Sequence, residues 1–431
     1  MSSKVLKYQH VSLSGQITVP GDKSISHRAV MFGSLAKGKT NITNFLAGED
    51  CLSTIGAFQA MGVSIKRDAN NVWIESEGID ELQEPTQPID LGNSGTTARL
   101  LMGILSGLPF HFTLFGDESL SKRPMDRIAN PLREMGAKID GRNNGRLLPM
   151  AVRGGNLSSI DFKPPVKSAQ VKSGVLLAGL FSEGVTTVEE ETKTRDHTEN
   201  MLKAFGAKVE VDGTTVKIKG KQKLQGCNIE VPGDISSAAF FLVAAAITKG
   251  SSVTIENVGL NPTRTGIIDV LKLMGISIEV VEKRTIGGEP IGDVKVVSSK
   301  PKAAVIEGDV IPRIIDEIPI IALLATQANG QTIIRDAEEL RFKETDRIDS
   351  VVSTLTKLGA SIKGTKDGMI IEGNTVLHGA VTESYGDHRI GMMIAIASLL
   401  TDEQVELHDD ECIAISYPTF FKDLDTLTSN S

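Results

Sequence analysis

Cysteine, aromatic rings and long apolar runs are all scarce in this chain. Its 431 residues include 3 cysteines, Cys51, Cys227 and Cys412, far apart, odd in number and in no CxxC pattern. That excludes a disulfide framework and a structural zinc site and suits a reducing compartment. Aromatics make up 4% of the chain, with one Trp and three Tyr, too few for base-stacking platforms. A net charge of -8 argues against general binding to nucleic acid or membrane surfaces. The longest unbroken apolar run, 238–247, falls far short of the roughly 18 residues of a membrane span. The opening residues, MSSKVLKYQHVSLSG, lack the apolar core of a signal peptide, so a cytoplasmic protein is expected. Several motifs are missing as well: a GxGxxG after a strand, GxSxG, HExxH and any Cys/His cluster. His197 in RDHTE has no second ligand at metal spacing, so no metal is expected.

What the chain does have is repetition. Two stretches, VPGDKSISHRAVMFGSLAKG (19–38) and VPGDISSAAFFLVAAAITKG (231–250), share their first four and last two residues. Five segments end a helix in an apolar residue, place a Gly, and enter a short strand; their glycines are Gly62, Gly136, Gly206, Gly275 and Gly359. Glycine after the last helical residue lets the chain turn left-handed and leave. Asp-Gly between alternating residues in KVEVDGTTVKIKG (208–220) predicts a hairpin. Ahead of each such helix lies another that opens polar and runs apolar: GDKSISHRA, LGNSGTTARLL, KSAQVKSGVLL, GDISSAAFFLV, IDEIPIIALLA and YGDHRIGMMIA. The unit is β-α-β-α-β-β, six times over, with the apolar helices buried and the sixth copy short of its last strand.

The fold class is therefore α/β (α+β). The chain is too long for one core. Size favours two similar domains of three units each over one elongated array. Residues 1–20 plus 234–431 are expected to form the first domain and 21–233 the second, joined by a two-strand hinge at the VPGD stretches.

Helix starts attract anions, yet cations recur at these openings: Lys23 and Arg28, Lys122-Arg123, Lys167, Arg195, Arg264, Lys343 with Arg347, and Arg389. Taken singly, each fits a solvated or capping side chain; Asp316 fits an N-cap, and KETDR an exposed ion-pair cluster worth under about 1 kcal/mol. Recurrence points instead to several anionic groups held between helix ends. GNSGTT (92–97) suits an anion cradle of backbone N–H groups.

The blocks VPGDKSISHRA, LGNSGTTAR, KRPMDRI, KSAQVKSGVLLAGL, RFKETDRI and YGDHRIGMM, in this order, resemble the signature of the 5-enolpyruvylshikimate-3-phosphate synthase family. The resemblance implies transfer of the enolpyruvyl group of phosphoenolpyruvate to the 5-hydroxyl of shikimate 3-phosphate, with release of phosphate. It implies two domains closing on the substrates, no metal and no cofactor, and a cytoplasmic monomer of the shikimate pathway. Asp316, Glu344 and Lys23 are then the expected catalytic residues, and whether Lys23 or Glu344 delivers the proton stays open. Shikimate 3-phosphate falls to Lys23, Ser24, Arg28, Ser168, Ala169, Gln170, Arg195, Asp316 and Lys343. Phosphoenolpyruvate falls to Lys23, Asn93, Gly95, Thr96, Arg123, Gln170, Glu344, Arg347 and Arg389. The second VPGD helix, with Ser236 and Ser237, is expected mainly to pack.

Three positions depart from the common pattern. Arg195 stands where many members place a Tyr, Ile415 where many carry a Lys, and Leu100 where a Pro is common. GDKS, SAQVK, RDHTE and NPTR together resemble the class II branch, which implies that glyphosate competes with phosphoenolpyruvate but at reduced sensitivity. A UDP-N-acetylglucosamine enolpyruvyl transferase is the nearest alternative, but HFTLFGDESLSKRPM lacks that family's loop Cys. A non-catalytic phospho-ligand binder would gain nothing from Asp316 and Glu344.

Overall fold

A computed structural model describes residues 2–8 and 11–429. The first of its two units takes the chain up to Pro20, then Pro232–Arg284 and everything from Pro290; the second takes Gly21–Val231 and Thr285–Glu289. The chain thus changes unit inside each VPGD stretch, the second time slightly ahead of the expected 233/234 boundary, and 285–289 joins the second unit. Each unit has its own apolar core.

Among the described residues there are six sheets, five of four strands and one of three. The plainest copy places Ile89–Asp90 parallel to His111–Phe115, which runs antiparallel to Leu147–Arg153, itself antiparallel to Lys138–Gly141. A buried helix, Gly95–Ser106, links the two parallel strands, as a parallel pair requires. A half-exposed helix, Asp126–Glu134, precedes the hairpin. The same order recurs in the sheets built on Val185–Glu189 and Gln331–Ile334. The half-exposed helices end at glycines with φ between +79° and +112°, as their sequence positions predict.

Two copies are not contiguous in sequence, a departure from the expected unit. Ser14–Thr18 precedes the helix Lys23–Leu35 but lies parallel to Ser252–Gly259. Asn228–Glu230 precedes the helix Ile235–Ile247 but lies parallel to Lys37–Thr43. At each crossing the strand stays in the unit the chain is leaving, and the helix goes with the unit it enters. The sixth sheet is completed from the other end of the chain: Ser3–Leu6 pairs antiparallel with Val405–His408, which is parallel to Val381–Glu383.

Six helices form the interior: α1 (Lys23–Leu35), α2 (Gly95–Ser106), α3 (Ala169–Gly179), α4 (Ile235–Ile247), α5 (Ile318–Thr326) and α6 (His388–Ala397). They are apolar nearly all round, so burial rather than amphipathicity holds them. Five have side-chain caps: Asp22 accepts from the Ile25 N–H at 2.9 Å, Ser94 from Thr97 at 3.0 Å, Ser168 from Val171 at 3.4 Å, Asp234 from Ser236 at 2.9 Å and Asp387 from Arg389 at 2.9 Å. The apolar stretch expected to start at 315 becomes helical only at Ile318. Asp316 lies outside it and does not cap it, which leaves its carboxylate for side chains.

Close approach explains two kinds of glycine. A Cβ on Gly103 of α2 would lie 2.1 Å from the Gly174 carbonyl oxygen of α3, so only glycine lets these helices meet. A Cβ on Gly21 would lie 1.9 Å from the Asn44 carbonyl oxygen, whereas on Gly233, its twin, the nearest atoms are a Val19 methyl at 2.9 Å and the Asn257 oxygen at 3.3 Å. A polar seam joins α1 to α2. His27 Nδ1 lies 2.7 Å from the Thr54 hydroxyl, Thr54 2.8 Å from Thr97, and Thr97 donates to Ser94 at 2.7 Å. Burial, then the charges of Lys23 and Arg28, hold the His27 pKa well below its usual value, so the ring is neutral.

Two outcomes are expected. Gly21→Ala lowers unfolding free energy by about 1–3 kcal/mol and Gly233→Ala by less than about 1 kcal/mol; equal losses in denaturant titrations would contradict this close-approach account. His27 binds its proton only in the unfolded chain, so its contribution is present above pH ~6.5 and lost as pH falls through that value. The stability advantage of wild type over His27→Gln should therefore shrink by about 1.4 kcal/mol between pH 7.5 and 5.5, and an advantage constant with pH would contradict a neutral buried ring.

Candidate active site

In the second unit the site residues collect at the openings of α1, α2 and α3. The first-turn residues Lys23, Ser24, Thr96, Ala169 and Gln170 are half-buried, whereas the helices behind them are buried apart from the half-buried Arg99. The Lys23 ammonium pairs with the Asp50 carboxylate. Arg28, one turn further in and 3% exposed, is fixed by three hydrogen bonds. Its Nε donates to the Thr198 hydroxyl at 2.7 Å, its Nη1 to the Ser24 carbonyl at 3.0 Å and its Nη2 to the Ser173 hydroxyl at 2.9 Å. Burial, and the repulsion of Arg195, push its pKa down to about 10 against the pull of Glu199 and Asp22, so it stays charged at neutral pH.

Gln170 is held between two partners. It accepts from Arg99 Nη1 at 2.6 Å and donates to the Thr96 hydroxyl at 3.0 Å. Arg123 Nη2 donates to the Asn93 side-chain oxygen at 2.6 Å and to Ser119 at 3.2 Å, and its Nη1 donates to the Asn93 carbonyl at 3.3 Å. A Cβ on Gly95 would meet Arg99 Nη1 at 2.8 Å and Arg123 Nη1 at 3.3 Å, so the bare glycine keeps two guanidinium groups beside the start of α2. Together these openings gather four cations, Lys23, Arg28, Arg99 and Arg123, around backbone N–H groups, an arrangement suited to phosphate and carboxylate oxygens.

In the first unit the site residues form one ionic cluster around Arg347, which is 1% exposed. Its Nε donates to Asp387 at 2.7 Å, its Nη2 to Glu344 at 2.6 Å and its Nη1 to Asp316 at 3.2 Å. Burial works against this charge, but Asp387, then Glu344 and Asp316, outweigh it and raise the Arg347 pKa. Asp316 also lies 3.3 Å from the Lys343 ammonium and 4.0 Å from Arg389 Nε. Asp346, the N-cap of the helix Arg347–Lys357, accepts from Arg341 at 2.7 Å, and this orients Arg347 at the first helical position. Ile415 ends a short turn, Asp410–Ile415, and packs against the core, adding hydrocarbon where a cation is common.

All the expected site residues of Gly21–Val231 thus lie at helix openings or on the segments beside them, and Asp316, Lys343, Glu344, Arg347 and Arg389 of the first unit share one cluster. Sequence reasoning missed Asp50, Arg99 and Asp387 as partners. Arg99 and Asp387 stood inside quoted motifs, LGNSGTTAR and YGDHR, while Asp50 had no motif to mark it. The second VPGD helix does more than pack. Arg264 donates to Asp234 at 2.9 Å and to Ser236 at 2.8 Å, and Ser236 donates to the buried Glu317. This helix, expected mainly to pack, is buried from Ile235 to Ala246, and these contacts close its opening.

Known proteins resemble this chain along nearly its whole length. The sequence pattern of EPSP synthase (3-phosphoshikimate 1-carboxyvinyltransferase) matches residues 7–424. A protein of Bacillus cytotoxicus named 3-phosphoshikimate 1-carboxyvinyltransferase is 58% identical over 415 residues, 96% of this chain and 98% of its own. One of the same name from Geobacillus thermodenitrificans is 59% identical over 418 residues, 96% of this chain and 97% of its own. The structure of EPSP synthase from Acinetobacter baumannii superposes with a TM-score of 0.88 at 46% identity, covering 99% of this chain and 98% of its own. The enolpyruvyl transferase NikO of Streptomyces tendae, 16% identical with a TM-score of 0.80 and covering 99% of this chain and 97% of its own, shares the fold. With a match spanning nearly its whole length, the chain belongs to the EPSP synthase family, the 3-phosphoshikimate 1-carboxyvinyltransferases.

Proposed function

We propose that Asp316 and Glu344 are the proton-transfer pair of the enolpyruvyl transfer, and that the helix openings of the second unit hold the anionic substrates against them. The carrying observation is that one guanidinium, Arg347, contacts both carboxylates at 3.2 and 2.6 Å. Two carboxylates on one buried cation are the arrangement that an incoming anion would disturb, because it competes for the same N–H groups. As Arg347, Lys343 and Arg389 turn to substrate oxygens, Asp316 and Glu344 lose stabilisation and become stronger bases.

In this reading Asp316 takes the proton of the 5-hydroxyl as that oxygen attacks carbon 2 of phosphoenolpyruvate. Carbon 3 receives a proton from Glu344, with Lys23 assisting, giving a tetrahedral ketal phosphate. The bond to the phosphate oxygen then breaks, its electron pair leaves with phosphate, and the methyl proton returns to the enzyme as the double bond reforms. Shikimate 3-phosphate is assigned to Lys23, Ser24, Arg28, Ser168, Ala169, Gln170, Arg195, Asp316 and Lys343. Phosphoenolpyruvate is assigned to Lys23, Asn93, Gly95, Thr96, Arg123, Gln170, Glu344, Arg347 and Arg389. The substrates together bring two phosphates and two carboxylates, which is why so many cations are needed. We take the enzyme to act as a monomer in the cytoplasm. Three free cysteines and the lack, among the described residues, of a helix able to cross a membrane are compatible with that setting.

Glu344→Gln should lower turnover by at least about 100-fold in a phosphate-release assay, the scale of a lost general acid or base. Calorimetric titration should show shikimate 3-phosphate binding changed by less than about threefold, since Glu344 is assigned no contact with it. Full turnover in this variant would contradict the assignment. Arg28→Ala should raise the KM for shikimate 3-phosphate by about tenfold or more, the scale of a charged hydrogen bond, with a smaller effect on kcat.

A further inference from the structure

Beneath the openings of α1 and α3 lies a charged cluster that the transfer chemistry does not use. Lys172, in the first turns of α3, is fully buried. Its ammonium lies 2.9 Å from Glu190 and 2.8 Å from Glu199, and donates to the Thr194 carbonyl at 3.4 Å. Glu190 follows the strand Val185–Glu189, and Glu199 sits in the helix His197–Ala204. The Glu190 carboxylate accepts from the Thr194 N–H at 3.3 Å and from the Thr194 hydroxyl. One ammonium thus ties down both ends of the segment 190–199, and Arg195 lies on that segment.

The same cluster reaches Arg28. Glu199 is the strongest attractive charge acting on Arg28, and Arg195 repels it. Arg28 is held by Thr198 and Ser173, the neighbours of Glu199 and Lys172, and Thr198 donates to Ser173 at 2.7 Å. The attractive charges around Lys172 raise its pKa despite burial, so it is charged over the working range. Well-packed hydrocarbon is often as stable as a buried ion cluster. What hydrocarbon does not supply is directional contact to two carboxylates and a carbonyl at once.

We propose that Lys172 is a positioning residue for shikimate 3-phosphate: through Glu190 and Glu199 it fixes the segment carrying Arg195 and the helix turn bracing Arg28, so that two mutually repelling cations stand ready for one anionic substrate. The proposal rests on the reading of Arg28 and Arg195 as ligands of that substrate. It differs from a structural role in one respect: the part of its effect that passes through Glu190 runs through Arg195.

A double-mutant cycle tests this. Glu190→Ala leaves the Lys172–Glu199 pair in place and keeps the experiment interpretable if Lys172→Met fails to fold. Each of Glu190→Ala, Lys172→Met and Arg195→Ala is expected to raise the KM for shikimate 3-phosphate by about tenfold, with kcat and the KM for phosphoenolpyruvate within about twofold. In the Arg195→Ala background, Glu190→Ala should add less than about a further twofold, because its route is already cut. Multiplying effects, or an unchanged KM in Glu190→Ala while Arg195→Ala raises it, would overturn the proposal alone. An unchanged KM in Arg195→Ala itself would overturn the ligand reading, and the proposal with it.

Discussion

A charge taken out of water without a partner costs several kcal/mol, and this constraint governs every functional part of the protein. Six helices are buried along almost their whole length, so cations near their starts sit at the edge of a core. The protein meets the cost with its own carboxylates: Asp50 for Lys23, Glu190 and Glu199 for Lys172, Asp234 for Arg264, and Asp387, Glu344 and Asp316 for Arg347. Some of these pairs are closed and structural. Others, at half-buried openings, face groups that an anionic substrate can replace. The difference lies in exposure: the Asp387 side chain is 0% exposed, whereas Glu344 is 18% exposed.

The two VPGD helices show how one local pattern serves two ends. Both use an Asp cap after a glycine, but only at Gly21 does a backbone oxygen approach closely. In α1 the residues after the cap put Lys23 and Arg28 at the opening. In α4 the corresponding space is closed by Arg264, Ser236 and Glu317. The duplicated unit keeps its scaffold, and the chemistry follows from which cation is left accessible at the helix start.

Local features of the fold were legible in the sequence. Helix ends at Gly62, Gly136, Gly206, Gly275 and Gly359, the Asp-Gly hairpin and the polar openings of the apolar helices depend on residues a few places apart. The exchange of Ser14–Thr18 and Asn228–Glu230 between copies was not legible, because parallel pairing joins strands more than 180 residues apart and leaves no local mark. In the site, the cations were legible because they break the charge preference of helix starts. Their counter-ions were not: Asp50, Glu190, Glu199 and Asp387 are ordinary acidic residues until folding brings them to a particular Lys or Arg. Asp316 fitted a capping role by sequence position and lost it because the helix starts two residues later.

The central claim is that internal carboxylates hold Lys23 and Arg347 until substrate oxygens replace them. A crystal structure with shikimate 3-phosphate and an unreactive analogue of phosphoenolpyruvate tests it most directly. The expected result places substrate phosphate and carboxylate oxygens within about 3 Å of Lys23, Arg28, Arg123, Arg347 and Arg389, with the Asp316 carboxylate on the 5-hydroxyl. Substrates bound elsewhere, with Lys23 still closed on Asp50 and Arg347 still closed on both Asp316 and Glu344, would contradict it.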